Sequence, residues 1–162
     1  MTETQPDLQA DPEATDVTDA LARLDGYEQL KFVSDGLIEV PIATTLGIDA
    51  FELERGSVTV RLTPVKAKHY NPIGSMHGGV ISTLLDTAAA CSVHSTLAAG
   101  EGYTSLDLNV KFLKAVTEES GQLRCVGSVV QRGRRTALAE AHLYDSADRL
   151  VAHATSTCMI FG

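Results

Sequence analysis

Apolar positions change their period along the chain, and each change marks an element. From about Asp19 to Phe32, Leu21, Leu24, Tyr27 and Leu30 recur at helical spacing, and "SDG" at 34–36 supplies a turn, which predicts a short amphipathic N-terminal helix. The stretch "PIATTLGIDAFELERGSVTVRLTP" then shifts to the period-two style of strands. The alternation is clearest at Ser57–Leu62, where Val58, Val60 and Leu62 face one way and Ser57, Thr59 and Arg61 the other, with "ERG" before it as a hairpin turn. From about Ser75 to Ala98 the period becomes 3.6. Val80, Ile81, Leu84, Leu85, Ala88, Ala89, Cys91 and Val93 make a wide apolar surface, and Gly100 stands where a C-cap belongs. Four strand-like runs follow, Thr104–Leu113, Gly121–Gln131, Thr136–Tyr144 and Leu150–Phe161, parted by "TEESG", "RGRR" and "DSADR". Sequential strands with short connections predict an antiparallel sheet. One long helix with about five such strands predicts an α+β fold in which the sheet wraps around the helix.

Composition adds a division of the chain. The 162 residues suit one domain and carry a formal net charge of −8, yet Glu3, Asp7, Asp11, Glu13, Asp16 and Asp19 supply −6 of it where no Lys or Arg occurs, leaving −2 for residues 21–162. Residues 1–18 read as a flexible acidic leader, because so charged a stretch cannot bury enough apolar surface to offset its ordering entropy. Residues 19–162 read as a single domain. The leader lacks the basic start and apolar centre of a secretory signal, and no run of about 18 apolar residues follows, so a soluble, cytoplasmic protein without a membrane partner is expected. Cys91, Cys125 and Cys158 are odd in number and far apart, and the five histidines form no H-E-x-x-H pair, so neither a disulfide framework nor a metal site is expected. An acidic chain with few aromatics and no basic–aromatic platform argues against a nucleic-acid partner.

Candidate chemistry gathers in "NPIGSMHGGVISTLLD", Asn71 to Asp86. Glycine is a poor helix former and a buried carboxylate is costly unless paired, so helix stability chooses neither Gly78 and Gly79 at the helix mouth nor Asp86 about two turns in. Unpaired N–H groups at a helix start lie at the positive end of the macrodipole, and glycine lets a reacting group approach them. An oxyanion formed from a thioester or ester carbonyl would be stabilised there. Asp86 would act on the carbonyl carbon as nucleophile, or through water as general base. Taken singly, each residue has a structural alternative: Gly78-Gly79 for close packing, His77 as a helix cap, Asp86 as a local hydrogen-bond acceptor.

Helical geometry separates these groups within one chain. His77 and Asp86 differ by roughly 180° and about 13 Å, Gly78 and Asp86 by roughly 80° and about 12 Å. Cooperation therefore requires two chains, and a twofold dimer supplies two equivalent mixed sites. Ser82, Thr83, Ala89 and Ala90, one turn to either side of Asp86, are small and leave a slot beside the carboxylate.

At these residues, and at "YTSLDLNVKFLKA" and "GRRTALAEAHLYDSADRLVAHATSTCMIF", the sequence resembles the hotdog-fold acyl-CoA thioesterases, in the branch with the phenylacetate-degradation and hydroxybenzoyl-CoA enzymes. The resemblance covers roughly residues 41–161. It implies a hotdog fold, dimers joined by sheet pairing and assembling into homotetramers, and hydrolysis of acyl-CoA without metal or organic cofactor. It further implies that Asp86 is the catalytic carboxylate, that Gly78 gives the oxyanion amide, that Asn71 lies near the carbonyl or attacking water, and that His77 supports the helix mouth. Ser105 corresponds to a hydroxyl that helps hold the water, with Thr104 as the neighbouring alternative. Ala90 stands where some members place Thr, which leaves the water's second ligand open.

A CoA substrate carries a diphosphate and a 3′-phosphate. Arg132, Arg134 and Arg135 form the densest basic cluster and are the leading phosphate ligands, with Lys66, Lys68, Lys111 and Lys114 as lesser candidates. The leading expectation is hydrolysis of aryl- or medium-chain acyl-CoA. The alternative is a non-catalytic acyl-CoA-binding or regulatory hotdog protein, which would keep the groove without needing Asp86. A hotdog hydratase would want Asp and His together on one chain, which the helical separation disfavours, and Cys91 lies on the apolar helix face without an evident activating base.

Overall fold

The alternation at 57–62 becomes a strand whose inward Val58, Val60 and Leu62 are fully buried. In the computed structural model, which describes residues 21–162, this strand belongs to an antiparallel seven-stranded sheet around one long helix. The elements are α1 (Gly26–Ser34), α2 (Pro41–Leu46), β1 (Ile48–Glu54), β2 (Ser57–Leu62), a single turn α3 (Lys66–His69), the central α4 (Gly78–His94), β3 (Gly102–Ser105), β4 (Asn109–Phe112), β5 (Leu123–Arg132), β6 (Thr136–Tyr144) and β7 (Leu150–Phe161). The strand order is β1-β2-β5-β6-β7-β3, with β4 also paired to β7. The fold is α+β, as the periodicities require.

Several boundaries differ from the sequence pattern for local reasons. The helix read from about residue 19 to 32 is broken at 23–25: Leu21 and Ala22 are helical, and Asp25 then caps a second helix from Gly26, accepting from the Glu28 N–H at 2.9 Å in a capping box. The acidic leader read over residues 1–18 lies outside the described residues. "PIATTL", read with the strands, is instead the helix α2: Pro41 opens it, and Gly47 closes it at φ 72°, a left-handed conformation suited to glycine. Gly100 is not the cap of the central helix, which ends at Ser95; its φ of 83° serves the turn into β3.

The run Thr104–Leu113 is split into β3 and β4 because Asp107 takes over the ladder. Its carboxylate accepts from the Thr157 N–H at 3.0 Å and its carbonyl from Ser156 Oγ at 2.8 Å. Both halves lie along β7 at one edge of the sheet.

The core lies between α4 and the inner face of the sheet. Leu84, Leu85, Ala88, Ala89 and Val93 are fully buried against Val58, Val60, Leu123, Cys125, Ala139 and Ala141. Helix and sheet approach closely at Gly127, where a Cβ would lie 2.0 Å from the Ala88 carbonyl oxygen. That approach fixes the register of α4 on the sheet and therefore which of its side chains stay uncovered.

Candidate active site

Opposite its buried face, α4 keeps an uncovered strip. Gly79, Thr83, Asp86, Thr87 and Cys91 recur at helical spacing and are exposed or half-buried. β3 runs beside this strip, and Ser105 Oγ donates to Asp86 Oδ1 at 3.3 Å. Adjacent strand residues point to opposite faces, so Thr104 turns away and Ser105 is the hydroxyl at the carboxylate. Ala90, one turn beyond Asp86, is almost buried and offers no polar group.

The groups around Asp86 are held uncharged. Burial pushes the Cys91 thiol up to about 12, with the Asp86 carboxylate adding to the effect. A thiol so far from ionisation is a poor nucleophile, which counts against the cysteine-hydrolase alternative. Burial likewise raises Tyr103, two residues before Ser105 on the same strand face, whose ring meets His94 edge-on at 5.3 Å. Cys158, paired with Ser105 in register, is also raised by burial. Among the described residues, no group of three or more His, Cys, Asp or Glu is placed to hold a metal ion.

The helix mouth is built separately. His77 is the N-cap, and its Nδ1 accepts from the Gly79 N–H at 2.9 Å while its own N–H donates to the His69 carbonyl at 2.7 Å. His69 is buried: its Nδ1 accepts from the Val65 N–H at 2.9 Å, leaving Nε2 to donate to the Leu46 carbonyl at 2.8 Å. Asn71 folds the loop before the cap, its Oδ1 accepting from the N–H groups of Ile73 and Ser75 at 3.1 and 3.4 Å. Among the described residues the Gly78 N–H makes no hydrogen bond. It opens beside a groove of about 360 Å³ between the mouth and β4, with Phe112 as one wall. A Cβ at Gly78 would lie 3.1 Å from the Phe112 ring.

The structure therefore brings together Asp86 with Ser105, and His77 with Gly78 and the Asn71 loop, but leaves the two groups apart within one chain. Arg132 is engaged: its guanidinium pairs with Glu101 at 2.7 Å and also donates to the Gly133 carbonyl. Arg134 and Arg135 are exposed and have no ion pair among the described residues. Tyr103 and Phe112 were not singled out in the sequence. Strand alternation places Tyr103 with Ser105, but only three-dimensional pairing sets Phe112 over Gly78.

A family model described as the thioesterase superfamily matches residues 73–152, from the helix mouth into β7. A phenylacetic acid degradation-related protein from Ralstonia eutropha JMP134 is 35% identical, with 80% of this chain and 97% of that one covered at a TM-score of 0.69. The chain belongs to the thioesterase superfamily. This thioesterase, a thioester hydrolase of hotdog fold, is also 26% identical over 107 residues to the 1,4-dihydroxy-2-naphthoyl-CoA hydrolase of Listeria monocytogenes, covering 66% of this chain and 85% of the relative. It shares the fold of the E. coli PaaI protein from the phenylacetic acid degradation operon, at 24% identity and a TM-score of 0.72 over 82% of this chain and 93% of that one. Among the described residues of the thioesterase, no helix is long and apolar enough to cross a membrane.

Proposed function

We propose that this thioesterase hydrolyses aryl- or medium-chain acyl-CoA to the free acid and CoA at a site shared by two copies of the chain. The observation that carries the proposal is the Asp86–Ser105 pair on an uncovered helix strip, about 12 Å along the same helix from the unpaired Gly78 N–H. A twofold partner lying along this strip and the β3–β4 edge brings its Gly78 to the first copy's Asp86. The thioester carbonyl then sits between an amide donor and a carboxylate. Asp86 either attacks the carbonyl carbon itself or takes a proton from a water that Ser105 helps to hold. The negative charge on the carbonyl oxygen is met by the Gly78 N–H, and the C–S bond breaks to release the CoA thiolate; where Asp86 attacks, water then hydrolyses the Asp86–acyl anhydride to the free acid and restores the carboxylate, and where water attacks, the proton taken by Asp86 passes to the thiolate. His77 and Asn71 act by holding the mouth in shape.

The names of the Listeria and Ralstonia relatives favour an aryl acyl group and a place in the breakdown of aromatic compounds. Residues 19–162 are read as one hotdog domain acting in the cytoplasm as a homotetramer of such dimers. Arg134 and Arg135 meet the CoA phosphates. A hydrolysis screen across aryl-, short- and long-chain acyl-CoAs, with the free thiol detected directly, tests the reading. Turnover strongest on aryl or medium-chain substrates is expected. Tight binding without thiol release from any of them would turn the chain into an acyl-CoA-binding protein.

A further inference from the structure

The groove beside the Gly78 N–H has a lining that the bond-breaking chemistry does not explain. Met76, Ile81 and Val116 are buried in it, and Phe112 and Leu113, both more than half exposed, stand over them. Its polar side chains are Ser75, whose Oγ accepts from Asn71 Nδ2 at 3.4 Å, and the exposed Lys114. The N–H groups of Met76, Leu113 and Lys114 already donate to carbonyls at 2.8, 2.8 and 3.1 Å. The Phe112 ring is seated on the glycine itself: the three nearest atoms that a Cβ at Gly78 would meet all belong to it, at 3.1 to 3.7 Å. Phe112 and Ser105 pair with the inward-facing Ala152 and Cys158, so both look to the helix side of the sheet. Six residues of β7 separate those partners, about 20 Å, which sets Phe112 with Gly78 and away from Asp86 of its own chain. In a site made by two copies, the copy that lends Gly78 therefore lends Phe112 and the groove as well.

We infer that this groove receives the acyl group and that Phe112 sets a preference for aryl over alkyl acyl groups. A carbonyl oxygen held by the Gly78 N–H places the carbonyl carbon at the edge of the groove, and the acyl group and the sulfur of the CoA arm leave that carbon in different directions. The arm carries amides and hydroxyls, which would be stranded in a groove with few free polar groups, whereas an apolar acyl group gives up nothing there. An aryl ring on the carbonyl comes within contact of the Phe112 ring. Offset or edge-on packing of the two rings then adds to the burial that an alkyl chain of similar size also gains. The inference rests on the acyl-CoA reading and adds to it the place of the acyl group and the residue that selects it.

The test compares benzoyl-CoA with hexanoyl-CoA as substrates, and the non-hydrolysable thioethers S-benzyl-CoA and S-hexyl-CoA as calorimetric ligands, on the full chain and on Phe112→Leu, Phe112→Ile and Phe112→Tyr. Removing the aromatic face is expected to lower kcat/KM on both substrates and to lower the benzoyl-to-hexanoyl ratio about 2- to 12-fold, the range for one aromatic pair, with a matching drop in the ratio of thioether affinities. Phe112→Tyr keeps the ratio within about twofold of wild type, and Phe112→Ile repeats the result of Phe112→Leu. Equal losses on both acyl groups, or a ratio that Phe112→Tyr fails to keep, overturn the assignment. A wild-type chain that releases thiol while Phe112→Leu keeps the ratio removes only this inference. Selective loss of S-benzyl-CoA binding in a chain that releases no thiol removes only the proposed activity.

Discussion

At the scale of single residues, the proposed chemistry rests on Asp86. Asp86→Asn keeps the shape and the Ser105 contact but abolishes both nucleophilic and basic capacity, so turnover is expected to fall at least about a hundredfold with the fold intact. Steady-state kinetics with circular dichroism on the same sample checks this, and near-normal kcat in folded protein contradicts the mechanism. Asp86, Gly78 and His77 were legible in the sequence because a helix converts spacing into direction. The Ser105–Asp86 contact and the Arg132–Glu101 pair were not, since each depends on strand placement. The resemblance had to supply Ser105, and nothing in the sequence distinguished Arg132 from its two neighbours.

At the scale of elements, the position of α4 depends on the bare backbone of Gly127 in β5. Gly127→Ala puts a methyl group 2.0 Å from the Ala88 carbonyl oxygen, and backbone on both sides leaves it nowhere to go. A loss of about 3 kcal/mol, the upper part of the overpacking range, is expected in the denaturant midpoint. The β6–β7 turn offers a pH-dependent counterpart. Asp145 is buried, and its carboxyl lies below the usual 3.8 chiefly because Arg149 hydrogen-bonds to it. A carboxyl with a depressed folded pKa adds stability that is complete above its unfolded value and lost as pH falls through the folded one. Asp145→Asn is therefore expected to lower Tm near neutral pH, with the gap to wild type narrowing below about pH 3.8. The long helix, the hairpin at "ERG" and the β5–β7 strands were legible because each is strongly periodic. Pro41–Leu46 was not, being too short to show a period, and the Asp107 break in the edge strand depends on where β7 lies.

At the scale of the whole molecule, substrate reach and assembly are joined. Arg134→Ala and Arg135→Ala are each expected to raise KM for an acyl-CoA by the equivalent of roughly 1–3 kcal/mol with kcat nearly constant, because phosphate contacts remote from the carbonyl are made equally in ground and transition states. The same acyl group on a short thiol without phosphates should show a far smaller change, and equal losses on both substrates would make these arginines structural. The proposed two-chain site rests on helix arithmetic, and the uncovered strip of α4 beside the sheet edge is where a second copy would fit. The measurement closest to the shared-site proposal is complementation. Asp86→Asn subunits are mixed with Gly78→Pro subunits, in which proline at the first helical position removes the N–H with little cost to the helix. With random exchange, half the dimers are mixed and each holds one intact site, so activity should return to about a quarter of wild type. No recovery despite exchange confirmed by mass would contradict a site built from two chains.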